Sequence, residues 1–117
     1  MLVVYDSLTG NIQRFVNKLD FKKVKIHNNL LIDDPFVLIT YTIGFGEVPE
    51  NVRDFLLSNH KHLKGVAASG NRNWGAYFCK AADLLSAQYN VPVIHKFELS
   101  GTKKDIDIFT QEVNNIV

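Results

Sequence analysis

Ser7-Leu8-Thr9-Gly10-Asn11 follows the apolar run Leu2-Val3-Val4-Tyr5 and precedes the helical spacing Ile12, Phe15, Val16, Leu19. A strand that ends in hydroxyls and a glycine and then opens a helix gathers backbone N–H groups and the positive end of the helix dipole at one point, where an anion is stabilised. The loop has neither the GxxxxGK(S/T) spacing of a P-loop nor its lysine. It reads as a neutral cradle, better suited to a terminal monophosphate than to a triphosphate.

Two further segments carry ligand-type residues. Thr40-Tyr41-Thr42-Ile43-Gly44-Phe45-Gly46-Glu47, closed by Pro49, sets two glycines around an aromatic ring. Ser69-Gly70-Asn71-Arg72-Asn73-Trp74-Gly75 supplies amides and the single tryptophan. A phosphate cradle beside two aromatic, amide-rich loops describes a pocket for a phosphorylated planar ring. Each segment alone is weaker: glycine pairs are common in turns, and Trp74 reads equally well as a cap on the core. Gly44-Phe45-Gly46 is not the dinucleotide fingerprint, which follows the first strand and has a third glycine. Cys79 reads as a small buried hydrophobe rather than a redox group, and His60 and His62 as a solvated loop.

The elements that must position these loops alternate. Strands are expected at Leu2 to Asp6, Val24 to His27, Phe36 to Tyr41, Gly65 to Ser69 and Pro92 to Leu99. Helices are expected at Asn11 to Leu19, Glu50 to Asn59, Ala76 to Tyr89 and Lys104 to Val117, with only a loop between the second and third strands. The first, third and fourth strands are continuously apolar, as strands covered on both faces must be; the second and fifth are interrupted by charge, as edges tend to be. This predicts an α/β fold: one doubly wound, five-stranded parallel sheet in the flavodoxin-like order 2-1-3-4-5. In that order the chain reverses direction between strands one and three, and the three loops converge there, at the carboxyl ends of the strands.

Composition bounds the rest. A chain of 117 residues, 46% hydrophobic and 21% charged, is expected to form a single globular domain over 1–117. A net charge of +1 gives no field of one sign for nucleic acid or a membrane surface. Four histidines and one cysteine show no metal-ligand spacing, so no metal is expected. No apolar run reaches the roughly 18 residues that span a bilayer, and the start lacks the basic stretch of a signal peptide, so the cytoplasm is the expected location. Two other occupants of such folds are excluded. A phospho-receiver needs an Asp ending the third strand, which ends Ile39-Thr40-Tyr41, and a small phosphatase needs a Cys and an Arg around its first loop.

Ser7-x-Thr9-Gly10-Asn11 resembles the flavodoxin FMN-phosphate loop, although Ile12 stands where many flavodoxins have a further Thr. Ala68-Ser69-Gly70-Asn71-Arg72-Asn73-Trp74-Gly75, with the later Phe97-Glu98-Leu99-x-Gly101-Thr102, resembles the NrdI family, flavodoxin-like partners of class Ib ribonucleotide reductase. The resemblance spans essentially the whole chain. It implies non-covalently bound FMN, reaction of the reduced flavin with O₂, and delivery of superoxide or a peroxide-level oxidant to the reductase small subunit, NrdF, for assembly of its dimanganese-tyrosyl radical cofactor. A flavodoxin reductase or another electron donor would be the second partner. The expected FMN contacts are Ser7, Leu8, Thr9, Gly10 and Asn11 for the phosphate. Thr40, Tyr41, Thr42, Ile43, Gly44, Phe45, Gly46, Ser69, Gly70, Asn71, Asn73 and Trp74 would border the ring, with Gly44 tuning the potential through its backbone. Classical flavodoxins are strongly acidic, whereas this chain is nearly neutral and carries Arg72 in a ring loop, which should ease two-electron reduction. A conventional short-chain flavodoxin electron carrier, and a non-redox module binding FMN or another phosphorylated ligand, are the competing readings.

Overall fold

The computed structural model describes residues 1–116. Five parallel strands, β1 (Leu2–Tyr5), β2 (Lys23–Lys25), β3 (Phe36–Tyr41), β4 (Leu63–Gly70) and β5 (Val93–Glu98), form one sheet in the order β2-β1-β3-β4-β5. The expected topology and both edge assignments hold. Four helices cover it: α1 (Asn11–Val16), α2 (Glu50–Asn59), α3 (Lys80–Tyr89) and α4 (Lys103–Ile116). The expected end of the last helix, Val117, lies outside the described residues.

The strand alternation divides the core into two layers. Val4, Phe36, Leu38, Val66 and Ala68 pack with Val52, Phe55 and Leu56 of α2 and with Ala81, Ala82 and Leu85 of α3. Val3, Tyr5, Val37, Ile39 and Ala67 pack with Ile12, Phe15 and Val16 of α1 and with Phe109 and Val113 of α4. Phe15 joins that second layer by stacking on Phe97 at 4.0 Å and meeting Phe109 edge-on at 5.6 Å. Gly101 is required there, since a Cβ would stand 2.7 Å from the Phe15 ring.

Two helices begin or end differently from their sequence patterns. Leu19 is buried as its spacing implies, but the chain reaches it through tightening turns (Lys18 N–H to Phe15 O, Leu19 N–H to Val16 O), so α1 ends at Val16. The helix expected from Ala76 starts only at Lys80; Ala76 and Tyr77 instead end a 3₁₀ segment, Arg72–Tyr77, broken at Gly75 (φ 57°). Cys79, at φ 52°, then turns the chain into α3. The physical reason is the buried thiol: Cys79 Sγ packs against Gly70 and donates to Ala68 O at 3.3 Å, and a regular helix through this region would not deliver it there.

The crossover from β2 to β3 is an extended loop, as expected. It is held by Asn59 at the end of α2, whose Oδ1 accepts from Ile32 N–H (2.8 Å) while Nδ2 donates to Leu30 O (2.9 Å).

Candidate functional site

The loops after β1, β3 and β4 enclose a cavity of about 450 Å³, and the turn after β5 joins them. In the first loop, Ser7 Oγ accepts from the N–H groups of Gly10 (3.1 Å) and Gln13 (3.4 Å), which folds the loop back on itself. Gly10 takes φ 87°, a conformation that favours glycine. The N–H groups of Leu8, Thr9, Asn11 and Ile12 have no protein acceptor among the described residues. With only six residues in α1, it is these loop amides rather than a long helix dipole that favour an anion.

Asp6 anchors the base of this loop. Its buried carboxylate accepts from Tyr41 Oη at 3.1 Å and from Asn51 Nδ2, tying the ends of β1 and β3 to the first turn of α2. Burial, then the Asp6 charge and that hydrogen bond, push the Tyr41 phenol up to about 12. It stays protonated and donates to Asp6.

The second loop is a tight hairpin. Ile43 and Glu47 exchange backbone bonds of 2.9 and 2.8 Å across Gly44 (φ 53°) and Gly46 (φ 96°). Its tip, Phe45, is 76% exposed and meets Trp74 and Tyr77 edge-on at 6.3 and 6.1 Å. In the third loop Asn71 Oδ1 accepts from Asn73 N–H (2.9 Å), while Ser69 Oγ donates to Leu99 O (2.6 Å) and so fixes the turn after β5.

Of the expected contacts, Ser7, Leu8, Thr9, Asn11, Tyr41, Thr42, Ile43, Gly44, Ser69, Gly70, Asn71 and Trp74 line the cavity. Gly10, Thr40, Phe45, Gly46 and Asn73 do not. Gly10 and Gly46 shape the turns, Thr40 is buried in β3, Phe45 stands on the rim and Asn73 closes the Asn71 turn. Trp74 is 52% exposed, so it walls the pocket instead of capping the core. Arg72 also lies off the lining. Its Nε pairs with Glu98 Oε1 at 3.2 Å and its guanidinium covers Phe78 at 4.6 Å, so part of the positive charge attributed to this loop is answered locally.

A family model described as "NrdI Flavodoxin like" matches residues 3–111. The chain belongs to the NrdI flavodoxin-like family. Within it, a Protein NrdI of Bacillus licheniformis is 57% identical over 116 residues, covering 98% of this chain and 88% of that protein. Among solved structures, a short-chain flavodoxin associated with a PDU bacterial microcompartment superposes with a TM-score of 0.72 at 22% identity, over 98% of this chain and 94% of that one. A Fusobacterium nucleatum flavodoxin bound to flavin mononucleotide gives 0.62 at 18% identity, over 97% and 96%. At those identities the likeness is one of fold.

This NrdI-family chain adds Ile12, Tyr77, Phe78, Cys79 and Leu99 to the cavity wall beyond the residues expected from sequence. Tyr77, Phe78 and Cys79 fall at the start of the helix expected from Ala76, and the signal that could have exposed them is Gly75, which stands directly before that pattern. Leu99, at φ 51°, lies in a turn at the same carboxyl edge as the other three loops. Cys79 is fully buried, and burial, only partly offset by Lys96, pushes its thiol up to about 12.

Proposed function

We propose that this chain binds FMN non-covalently and, once reduced, reacts with O₂ to supply superoxide or peroxide to NrdF, the small subunit of a class Ib ribonucleotide reductase, for assembly of its dimanganese-tyrosyl radical cofactor. The observation that carries the reading is the division of the cavity into an amide end and an apolar end, in a chain of this family. The unpaired N–H groups of Leu8, Thr9, Asn11 and Ile12 suit a phosphate. Trp74, Tyr77 and Leu99 offer apolar surface to a flat ring. The residues present therefore fit FMN.

Bound there, FMN would supply the electron transfer and the O₂ chemistry. The chain's own residues bind, orient and screen. Ser7 holds the phosphate loop in shape, and Thr9, whose Oγ1 accepts from Asn11 Nδ2 at 3.2 Å, keeps its hydroxyl proton to give to the phosphate. The hairpin at Gly44 supplies backbone groups at the ring edge, where they can tune the potential. An electron donor such as a flavodoxin reductase completes the cycle.

The test is direct. The purified protein, loaded with FMN, should be yellow, bleach with dithionite and recover in air. Reduced, with Mn(II) and a class Ib NrdF under O₂, it should yield the tyrosyl radical signal faster than free reduced FMN does. Reversible bleaching without acceleration of radical formation would instead favour a conventional short-chain flavodoxin. Failure to take up FMN would remove both.

A further inference from the structure

Sequence alone describes the first loop as neutral, but the structure sets a cation against it. Arg14, in the last turn of α1, folds its guanidinium back across Gly10. Two of its nitrogens are committed to neutral oxygens: Nε donates to Ser100 Oγ (2.8 Å) and Nη2 to Asn11 Oδ1 (2.6 Å), while Ser100 Oγ also donates to Asn11 Oδ1 (3.0 Å). The third, Nη1, has no protein acceptor among the described residues, and it lies so near Gly10 that a Cβ there would stand 3.1 Å away. Among the described residues no carboxylate pairs with Arg14, whereas Arg72, Lys96 and Lys103 each have one. The fork is thus held in place by Asn11 and Ser100, with a charged donor left over beside a ring of unpaired amides.

We infer that Arg14 is the specificity residue that makes this site prefer a phosphomonoester to the same ligand without its phosphate. The inference rests on the FMN reading and deepens it. The loop amides donate hydrogen bonds but carry no net charge, so a dianion among them gains further from a nearby cation, and a guanidinium fixed by two neutral partners loses little freedom in providing one. Arg14 is not in the cavity lining but is bonded to Asn11, which is, so the charge acts within a Debye length of a phosphate held by the loop. Arg14 is solvent-exposed, which places the contribution between a screened surface pair and a full charge-assisted bond: about tenfold in affinity.

The experiment measures binding of FMN and of riboflavin to the full chain, with Arg14→Ala and Arg14→Lys, at low and high salt. Arg14→Ala should weaken FMN about tenfold, leave riboflavin within about twofold and flatten the salt dependence of FMN binding, with Arg14→Lys between the two. Riboflavin binding also shows that each variant is folded. Equal weakening of both ligands would make Arg14 only a latch between the first loop and Ser100, and unchanged FMN affinity would remove it from the site; either result overturns the inference. A wild-type protein that binds FMN no tighter than riboflavin would instead refute the phosphate-loop reading itself, before any variant is compared.

Discussion

Gly44 and Gly46 do different work in the same hairpin. Both have positive φ, at 53° and 96°, but a Cβ on Gly44 would meet nothing nearer than Glu47 at 3.9 Å, whereas one on Gly46 would stand 2.9 Å from Tyr77 Cδ1 and 3.1 Å from Lys80 Cγ. Gly44→Ala should therefore cost only left-handed strain, about 1 kcal/mol, or about fivefold in FMN affinity. Gly46→Ala should cost more, because it also pushes Tyr77 off the pocket wall. Parallel FMN titrations decide this, and equal losses would show that the Tyr77 contact is immaterial. Cys79 belongs to the same scale. Fully buried, its thiol pushed up to about 12 by that burial, it should resist iodoacetamide in the native protein and react at once in denaturant. Rapid native labelling would show that the segment from Gly75 to Cys79 opens in solution. Which residues of the three loops face the cavity was largely legible from sequence, because glycines, hydroxyls and amides cluster there. The places of Arg14 and Cys79 were not, since each depends on a fold-back that brings distant backbone alongside.

Between elements, two polar devices do what apolar packing alone would leave undone. Asn59 carries the crossover from β2 to β3, accepting from Ile32 N–H and donating to the carbonyls of Leu30 and Phe55 (2.9 Å each). Asn59→Ala would leave buried backbone groups unpaired and should cost about 2–4 kcal/mol in urea unfolding; a loss below about 0.5 kcal/mol would mean the loop holds itself. On β5, charge interrupts the apolar pattern because each face of this edge strand pairs with the helix lying over it. Lys96 Nζ meets Asp83 of α3 at 2.7 Å, and His95 Nε2 meets Asp105 of α4 at 2.7 Å. Asp105 also accepts from the N–H and hydroxyl of Thr102, closing a capping box on α4. Burial by itself would raise this carboxyl, but the bonds from His95 and Thr102 outweigh it and hold it below its ordinary 3.8. Because the folded value is depressed, the stability Asp105 contributes is fully present above 3.8 and is lost as pH falls through the lower folded value. Urea midpoints measured from pH 7 to pH 2 should show this acid limb, and Asp105→Asn should lower the midpoint at pH 7 and flatten the limb. An unchanged limb would place the acid sensitivity elsewhere. From the sequence the β5 charges marked an edge, and their partners became visible only once α3 and α4 were packed.

For the molecule as a whole, a ligand that binds only the folded chain stabilises it by mass action. At 100 times its Kd, FMN should add about 2.7 kcal/mol, which for a chain of this size raises Tm by about 10 °C. No shift at millimolar FMN would contradict the proposed cofactor. The strand order was determined by the sequence itself. Runs such as Val37-Leu38-Ile39 can be stable only between two helical layers, while Lys23-Val24-Lys25 can tolerate an open edge, and the alternation of strands and helices permits few topologies. That order in turn fixed where the loops meet, since parallel strands bring their carboxyl ends to one edge of the sheet. What only the tertiary structure decided is how the loops close over that edge. Gly70 admits the Cys79 thiol, Ser69 captures Leu99, and Arg14 reaches Ser100 across 86 residues of chain. Local periodicity records which face of an element is buried. It carries no signal for contacts between residues far apart in sequence, and those contacts set the walls and the charge of this site.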